Sequence, residues 1–289
     1  MSKKGNFFNG VFYLMSKQSP IGVFDSGFGG LSVLRKLTET IPEYDFCYLG
    51  DNARAPYGTR SFSTVYRYTR EAVMWLFSRN CHLVIIACNT ASAKALRSIQ
   101  QNDLPIVAPE KRVLGVIRPL TEIAGVISHN KHIGLLATPG TVRSASYSIE
   151  IHKFFPDVHL TQEACPLWVP LVENMEVDNS GTAYFVKSHI DNLFTADPLI
   201  DTVILGCTHY PFLLPVIKRY VPGNVKIVSQ GNIVADSLVA YLSRHPEIAQ
   251  KCTKGGTRQF YTTESPEFFD TPASYFFGSE VKSEQIAIS

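Results

Sequence analysis

The chain has 289 residues, 45% of them hydrophobic and 18% charged, and its 27 basic and 25 acidic side chains leave a net charge of +2. This composition describes a globular protein with material for one large domain or two of ordinary size. A near-neutral balance without a Lys/Arg block gives no electrostatic argument for a nucleic-acid partner, and no apolar run approaches the ~18 residues of a membrane span.

Residues 1–19 carry lysines and a short apolar stretch, Val11 to Leu14. That stretch is too short for a signal-peptide core, and no small-residue cleavage site follows it. The segment reads as a disordered leader or the product of a start codon upstream of Met15, and without an export signal the default compartment is the cytoplasm. In a reducing compartment the cysteines at 47, 81, 88, 165, 207 and 252 are not expected to pair. None sits in a C-x-x-C pair, and no Cys/His set has zinc-finger spacing, so no metal is expected.

The first strand is PIGVFDS (20–26), followed by a Gly-rich turn and a helix with Leu31, Leu34, Leu37 and Ile41 at helical spacing. YDFCYLGD (44–51) is a strand and STVYRYTREAVMWLF (63–77) an amphipathic helix. HLVIIACN (82–89) is a short continuous apolar run, as in a parallel strand covered on both faces. A helix rich in ASAKALRSI follows. The rhythm restarts at HIGLLA (132–137), with a helical stretch to about Phe155. VHLTQEAC (158–165), a helix near 183–194, DTVILGC (201–207), KIVSQG (226–231) and the helix IVADSLVAYL (233–242) continue it. The alternation predicts an α/β fold: two similar lobes, each a mainly parallel sheet flanked by helices. Ile21-Gly22 opens one half, which reaches a strand-end cysteine at Cys88. Ile133-Gly134 opens the other, which reaches Cys207. Ligands bind at the carboxyl ends of such strands, so an interlobe cleft is the expected site.

Cys88 lies at a strand-to-helix junction in VIIACNTASA, with Asn89 and Thr90 in the helix's first turn. Free amides at a helix start lower a thiol's pKa, so Cys88 reads equally well as a reactive thiol or as a core residue beside an Asn89 N-cap. Cys207, in VILGCTHYP, is followed by Thr208 and His209, and a strand-end thiol two residues from a histidine favours chemistry. FDSGFGG (24–30) lacks the full G-x-G-x-x-G spacing and is weak as a phosphate loop. Its distinctive part is Asp25-Ser26 at a strand end. Tyr57-Gly58 in GDNARAPYG could contact a ligand or close a turn. Glu173 in ACPLWVPLVE, taken alone, reads as a solvated position.

Together GVFDSGFGGL, GDNARAPYG, ACNTASA, ACPLWVPLVE and LGCTHYP resemble, in order, the motifs of the cofactor-independent glutamate racemases, and YTTESPEFF is similar to that family's closing segment. The resemblance implies two lobes with glutamate between them and Cys88 and Cys207 on opposite faces of its α-carbon as acid-base residues. It implies assistance to Cys88 from Asp25 and to Cys207 from His209, with Glu173 near the second thiol. Substrate would be held by Asp25, Ser26, Tyr57, Gly58, Asn89, Thr90, Thr208 and His209. No cofactor, no metal, a small-molecule substrate and a homodimer supplying D-glutamate for peptidoglycan complete the expectation. The leader is extra, APEKRV (108–113) resembles a short insertion between lobes, and Asn52 stands where many members carry threonine. The first lobe is placed at 20–117 plus 231–289 and the second at 118–230. Rival readings are a racemase of aspartate or another amino acid, a cysteine hydrolase using Cys207 and His209, and a two-lobe amino-acid binding protein.

Overall fold

A computed structural model describes residues 18–288. Ten strands form two separate sheets: β1 (Ile21–Asp25), β2 (Phe46–Gly50), β3 (Leu83–Ile86), β4 (Arg112–Gly115), β5 (His132–Ala137), β6 (His159–Ala164), β7 (Thr202–Gly206), β8 (Lys226–Val228), β9 (Arg258–Thr262) and β10 (Ser283–Gln285). The six-stranded sheet runs β10-β9-β2-β1-β3-β4 and the four-stranded sheet β6-β5-β7-β8. Every pairing is parallel.

The restart seen in the sequence has a topological counterpart. Within the first sheet the order β2-β1-β3-β4 repeats, strand for strand, as β6-β5-β7-β8 in the second. In each half the opening strand is central, and beside it lies the strand that delivers the cysteine: β1 pairs with β3, and β5 with β7. The apolar run of β3 is fully buried because β1 and β4 flank it and helices cover both faces. β9 and β10 then extend the first sheet beyond β2.

Two expectations need correcting. Arg112 and Val113, expected in an insertion, belong to the edge strand β4, in register with Leu83 and Val84. The helical stretch to Phe155 is broken at Ala145, whose φ of 54° is left-handed, giving helices Pro139–Ser144 and Ser146–Phe154. Residues 1–17 of the expected leader lie outside the described residues. Ser19, at its end, is buried and donates to the Asn80 carbonyl at 2.8 Å.

Periodicity explains the packing. Leu31, Leu34 and Leu37 bury one face of helix Gly30–Thr40 against the first sheet. Helix Phe62–Ser78 starts at Ser61, whose Oγ accepts the Thr64 amide at 3.2 Å. A single buried cluster runs from Ile21 and Tyr48 in the first sheet to Trp168, Val203 and Tyr210 beside the second. The C-terminal helix Pro266–Phe277 joins that cluster through Phe276, whose ring stands 5.6 Å from Phe28, 4.5 Å from Phe212 and 5.9 Å from His209. No helix among the described residues is long and apolar enough to cross a membrane.

Candidate active site

Both strand-end cysteines reach one cavity. Its walls are Ser26, Pro56, Tyr57, Gly58, Cys88, Asn89, Thr90, Thr138, Val169, Glu173, Cys207, Thr208 and His209, and its volume is about 20 Å³. A water needs roughly 10–15 Å³ by this kind of measure, so the cleft is closed down to little more than one solvent molecule. A larger cavity of about 790 Å³, lined by Lys94, Arg97, Arg118, Glu150 and Arg244 among others, contains neither thiol. Much of its charge is already paired, with Arg97–Glu150 at 2.9 Å and Arg118–Glu122 at 2.8 Å. The thiol-lined cleft is therefore the candidate site.

Cys88 is itself the N-cap of helix Asn89–Lys94, a role the sequence suggested for Asn89. Its Sγ accepts the Ala91 amide at 3.4 Å and lies 3.3 Å from Ser26 Oγ. The expected lowering of this thiol by helix-start amides does not prevail. Burial pushes Cys88 up to about 12, the Asp25 carboxylate adds to the rise, and the Ser26 and Ala91 donors only partly offset it. Desolvation of a thiolate outweighs two hydrogen bonds.

Asp25 ends β1, the strand beside the one that delivers Cys88, and has no exposed surface. Oδ2 accepts the Gly27 amide at 3.0 Å, while Oδ1 has no hydrogen-bond partner. Burial lifts this carboxyl from 3.8 to about 6, against the pull of His209 and the Gly27 and Gly30 amides.

On the opposite wall three groups form a chain. Cys207 Sγ is 3.7 Å from His209 Nδ1, and His209 Nε2 is 3.0 Å from Glu173 Oε1. Burial alone would lower the His209 imidazole, yet Cys207 and Glu173 hold it well above its ordinary value. His209 is buried, while the Glu173 side chain keeps 19% of its surface exposed. Glu173 is thus the outer end of a hydrogen-bonded chain, where ACPLWVPLVE in isolation suggests a merely solvated position.

The glycines of FDSGFGG serve close approach across the cleft. A Cβ on Gly29 would stand 2.3 Å from Thr208 Oγ1 and 2.5 Å from His209 Nδ1, and one on Gly27 would stand 2.5 Å from Glu173 Oε1. Only glycine lets this loop press against the second lobe.

Other sequence-derived residues also line the cavity. Thr90 Oγ1 meets Thr138 Oγ1 at 2.9 Å. Tyr57 is 1% exposed and donates its hydroxyl to Asp51, so its ring, with Gly58, forms cavity wall. The Thr208 carbonyl accepts Ser32 Oγ at 3.2 Å. Asn89 has partners that motif reading missed. Its Nδ2 donates to Gln230 Oε1 at 2.6 Å, its Oδ1 accepts Gln230 Nε2 at 2.7 Å, and Tyr147 OH donates to the same Oδ1 at 2.8 Å. In sequence Tyr147 falls in a helical stretch, Gln230 at the end of the strand segment KIVSQG and Thr138 beside a turn, with nothing to mark any of them.

A racemase family model described as "Asp/Glu/Hydantoin racemase" matches residues 21–238. This chain belongs to that family. Among similar members, the glutamate racemase of Sulfurihydrogenibium sp. (strain YO3AOP1) is 40% identical over 271 residues, covering 93% of this chain and 98% of the relative. The crystal structure of glutamate racemase isoform RacE1 from Bacillus anthracis superposes with a TM-score of 0.84 at 33% identity, covering 94% of this chain and 98% of that one. The Francisella tularensis glutamate racemase, solved with D-glutamate, gives a TM-score of 0.82 at 31% identity over the same shares of the two chains. The Asp/Glu racemase fold therefore accounts for both lobes.

Proposed function

We propose that this protein is a glutamate racemase that interconverts L- and D-glutamate through two cysteines and without a cofactor. The observation that carries the reading is the pair of strand-end thiols, Cys88 and Cys207, lining one cavity at topologically equivalent positions. A hydrolase needs one nucleophile and a binding protein needs none. Inversion at carbon needs one group on each face.

The chemistry follows from the two walls. In the L-to-D direction a Cys207 thiolate takes the α-proton, and its electron pair becomes the S–H bond. The carbanion left behind takes the Cys88 proton on its opposite face. The His209 imidazolium, backed by Glu173, is the counter-charge that a thiolate at 207 needs. Cys88, pushed up by burial, rests as the thiol that donates. In the D-to-L direction Cys88 must first lose its proton, and Asp25 is the adjacent base. Ser26, Asn89, Thr90 and Thr208 are the donors available to a substrate whose charge grows in the transition state, each such contact being worth about 2.7–4 kcal/mol. Tyr57 and Gly58 complete the wall. Glutamate cannot enter a cavity of about 20 Å³, so binding requires the lobes to part and reclose.

The lobes are assigned as 20–117 with 231–289, and 118–230. A homodimer working in the cytoplasm to supply D-glutamate for peptidoglycan follows from the family resemblance. The test is incubation of each pure enantiomer in heavy water without added cofactor, followed by proton NMR and circular dichroism. Loss of optical activity with deuterium at the α-carbon is expected for glutamate, not for aspartate. Undiminished turnover in Cys88→Ser or Cys207→Ser would overturn the two-thiol mechanism.

A further inference from the structure

A second cluster of metal-ligating side chains lies at the other end of the second sheet. β5 and β6 run in parallel register with His132 opposite His159, so both imidazoles leave the sheet at the first residue of each strand. Their ring centroids are 5.1 Å apart. Asp197, which ends helix Ser180–Ala196, faces the pair. Its Oδ1 accepts the Leu199 amide at 3.0 Å, which fixes the carboxylate and turns Oδ2 toward the rings. Oδ2 is 2.8 Å from His132 Nδ1, 3.8 Å from His159 Nε2 and 3.4 Å from Thr161 Oγ1.

One donor atom from each of the three residues lies within 4.8 Å of the others. With metal–ligand bonds of about 2.0–2.1 Å, the ligands of a tetrahedral ion stand about 3.3 Å apart. The carboxylate–imidazole separations of 2.8 and 3.8 Å bracket that spacing, and the two imidazole donors lie within 4.8 Å of each other, so ring rotations about the fixed carboxylate would complete a three-ligand set. Asp197 is 5% exposed, whereas the His132 and His159 side chains are 28% and 63% exposed. The cluster thus has a deep, oriented anchor and an open side where water can supply the fourth ligand.

We propose that His132, His159 and Asp197 form a binding site for a divalent transition ion of the zinc class. Two imidazoles and one carboxylate suit Zn²⁺, Co²⁺ or Ni²⁺, whereas Mg²⁺ and Ca²⁺ require oxygen shells. Binding moves the His132 ring proton to Nε2 and frees Nδ1 for the ion, with no net proton change in a neutral ring. The thiols lie beyond the opposite strand ends, about 16 Å along β5 at ~3.3 Å per residue. The ion therefore clips β5, β6 and the end of helix Ser180–Ala196 together and takes no part in proton transfer. It acts on stability by binding only the folded form.

The test uses the full chain, stripped with chelator, then titrated with Zn²⁺ by calorimetry and with Co²⁺ by absorption, alongside thermal melts. One site per chain is expected, with a Co²⁺ spectrum free of thiolate charge transfer and a melting temperature raised by Zn²⁺. His159→Ala, at an exposed position, should fold and racemise glutamate as the parent does. It should weaken the metal by more than the ~10–100-fold typical of losing an outer-shell partner, and abolish the thermal shift. His132→Ala should behave likewise, and Cys88→Ser and Cys207→Ser should retain the site. No binding by the parent, parent-like affinity in His159→Ala, or loss of binding in either serine variant overturns the proposal.

Discussion

Replacing Gln230 by leucine, close to it in volume, isolates the amide pair that crosses the cleft. In the parent, Asn89 is 2% and Gln230 3% exposed, and the two carboxamides exchange hydrogen bonds of 2.6 and 2.7 Å. Leucine deletes both bonds, together with the one that Gln230 Nε2 donates to the Tyr147 hydroxyl. It strands Asn89 Nδ2 in a dry site and leaves Oδ1 with Tyr147 alone. A buried donor without a partner costs about 1–3 kcal/mol. At roughly 2–4 °C per kcal/mol, the melting temperature should fall by about 2–12 °C. Because Asn89 follows Cys88 directly, the same loss should appear in catalysis as a drop in kcat/KM of about 10–100-fold, at about 1.4 kcal/mol per decade. Melts and coupled racemisation assays on Gln230→Leu, Asn89→Ala and the double variant supply the check. If the pair acts as a unit, the second substitution should add little to the first, a coupling of about 1–2 kcal/mol. Full additivity, or a Gln230→Leu enzyme within twofold of the parent and unchanged in melting, would refute the reasoning.

Asp25 makes a pH prediction whose sign is fixed by its upward shift from 3.8 to about 6. The native state binds more protons than the unfolded state between those values, so this contribution is present at low pH and lost as pH rises through about 6. Asp25→Asn should therefore gain stability relative to the parent by about 2 kcal/mol from pH 4 to 7, read from urea melts; a pH-independent difference would contradict the assignment. Glu173→Gln removes the charge that keeps His209 protonated, so the alkaline limb of the kcat profile should move to lower pH, and an unmoved limb would remove Glu173 from the relay. Gly29→Ala should prop the cleft open, because its Cβ would collide with Thr208 and His209. A tenfold or larger rise in KM is expected, with stability lowered by roughly 1–3 kcal/mol through overpacking. Phe276→Ala should cost about 3–5 kcal/mol, seen as the largest melting decrease of this set.

Legibility from sequence followed burial. β1, β3, β5 and β7 are continuous apolar runs because neighbours flank them on both sides, and their strand-end cysteines came with them. β9 and β10 carry mixed, partly exposed residues near one edge of the first sheet and left no comparable pattern. β4 is only four residues long and follows a proline-containing loop, so it resembled an insertion. Residues acting within a motif were readable, whereas Thr138, Tyr147 and Gln230 act by meeting a partner from a distant segment. His132, His159 and Asp197 come from three elements, so no spacing rule could find them. The direction of the Cys88 shift also lay beyond sequence, since it depends on how dry the junction is.

The two walls of the cleft are matched in topology but not in chemistry, and that mismatch has a kinetic consequence. Enantiomers have identical free energies in water, so the equilibrium constant between them is one and kcat/KM must be equal in both directions. A serine-and-carboxylate wall and a histidine-and-glutamate wall cannot hold the two antipodes equally well. The imbalance must then divide between the separate constants: the antipode that turns over faster also binds more weakly, by the same factor. In the proposed mechanism the repeated strand order provides two stations for the proton, and the difference between their neighbours sets which antipode lingers.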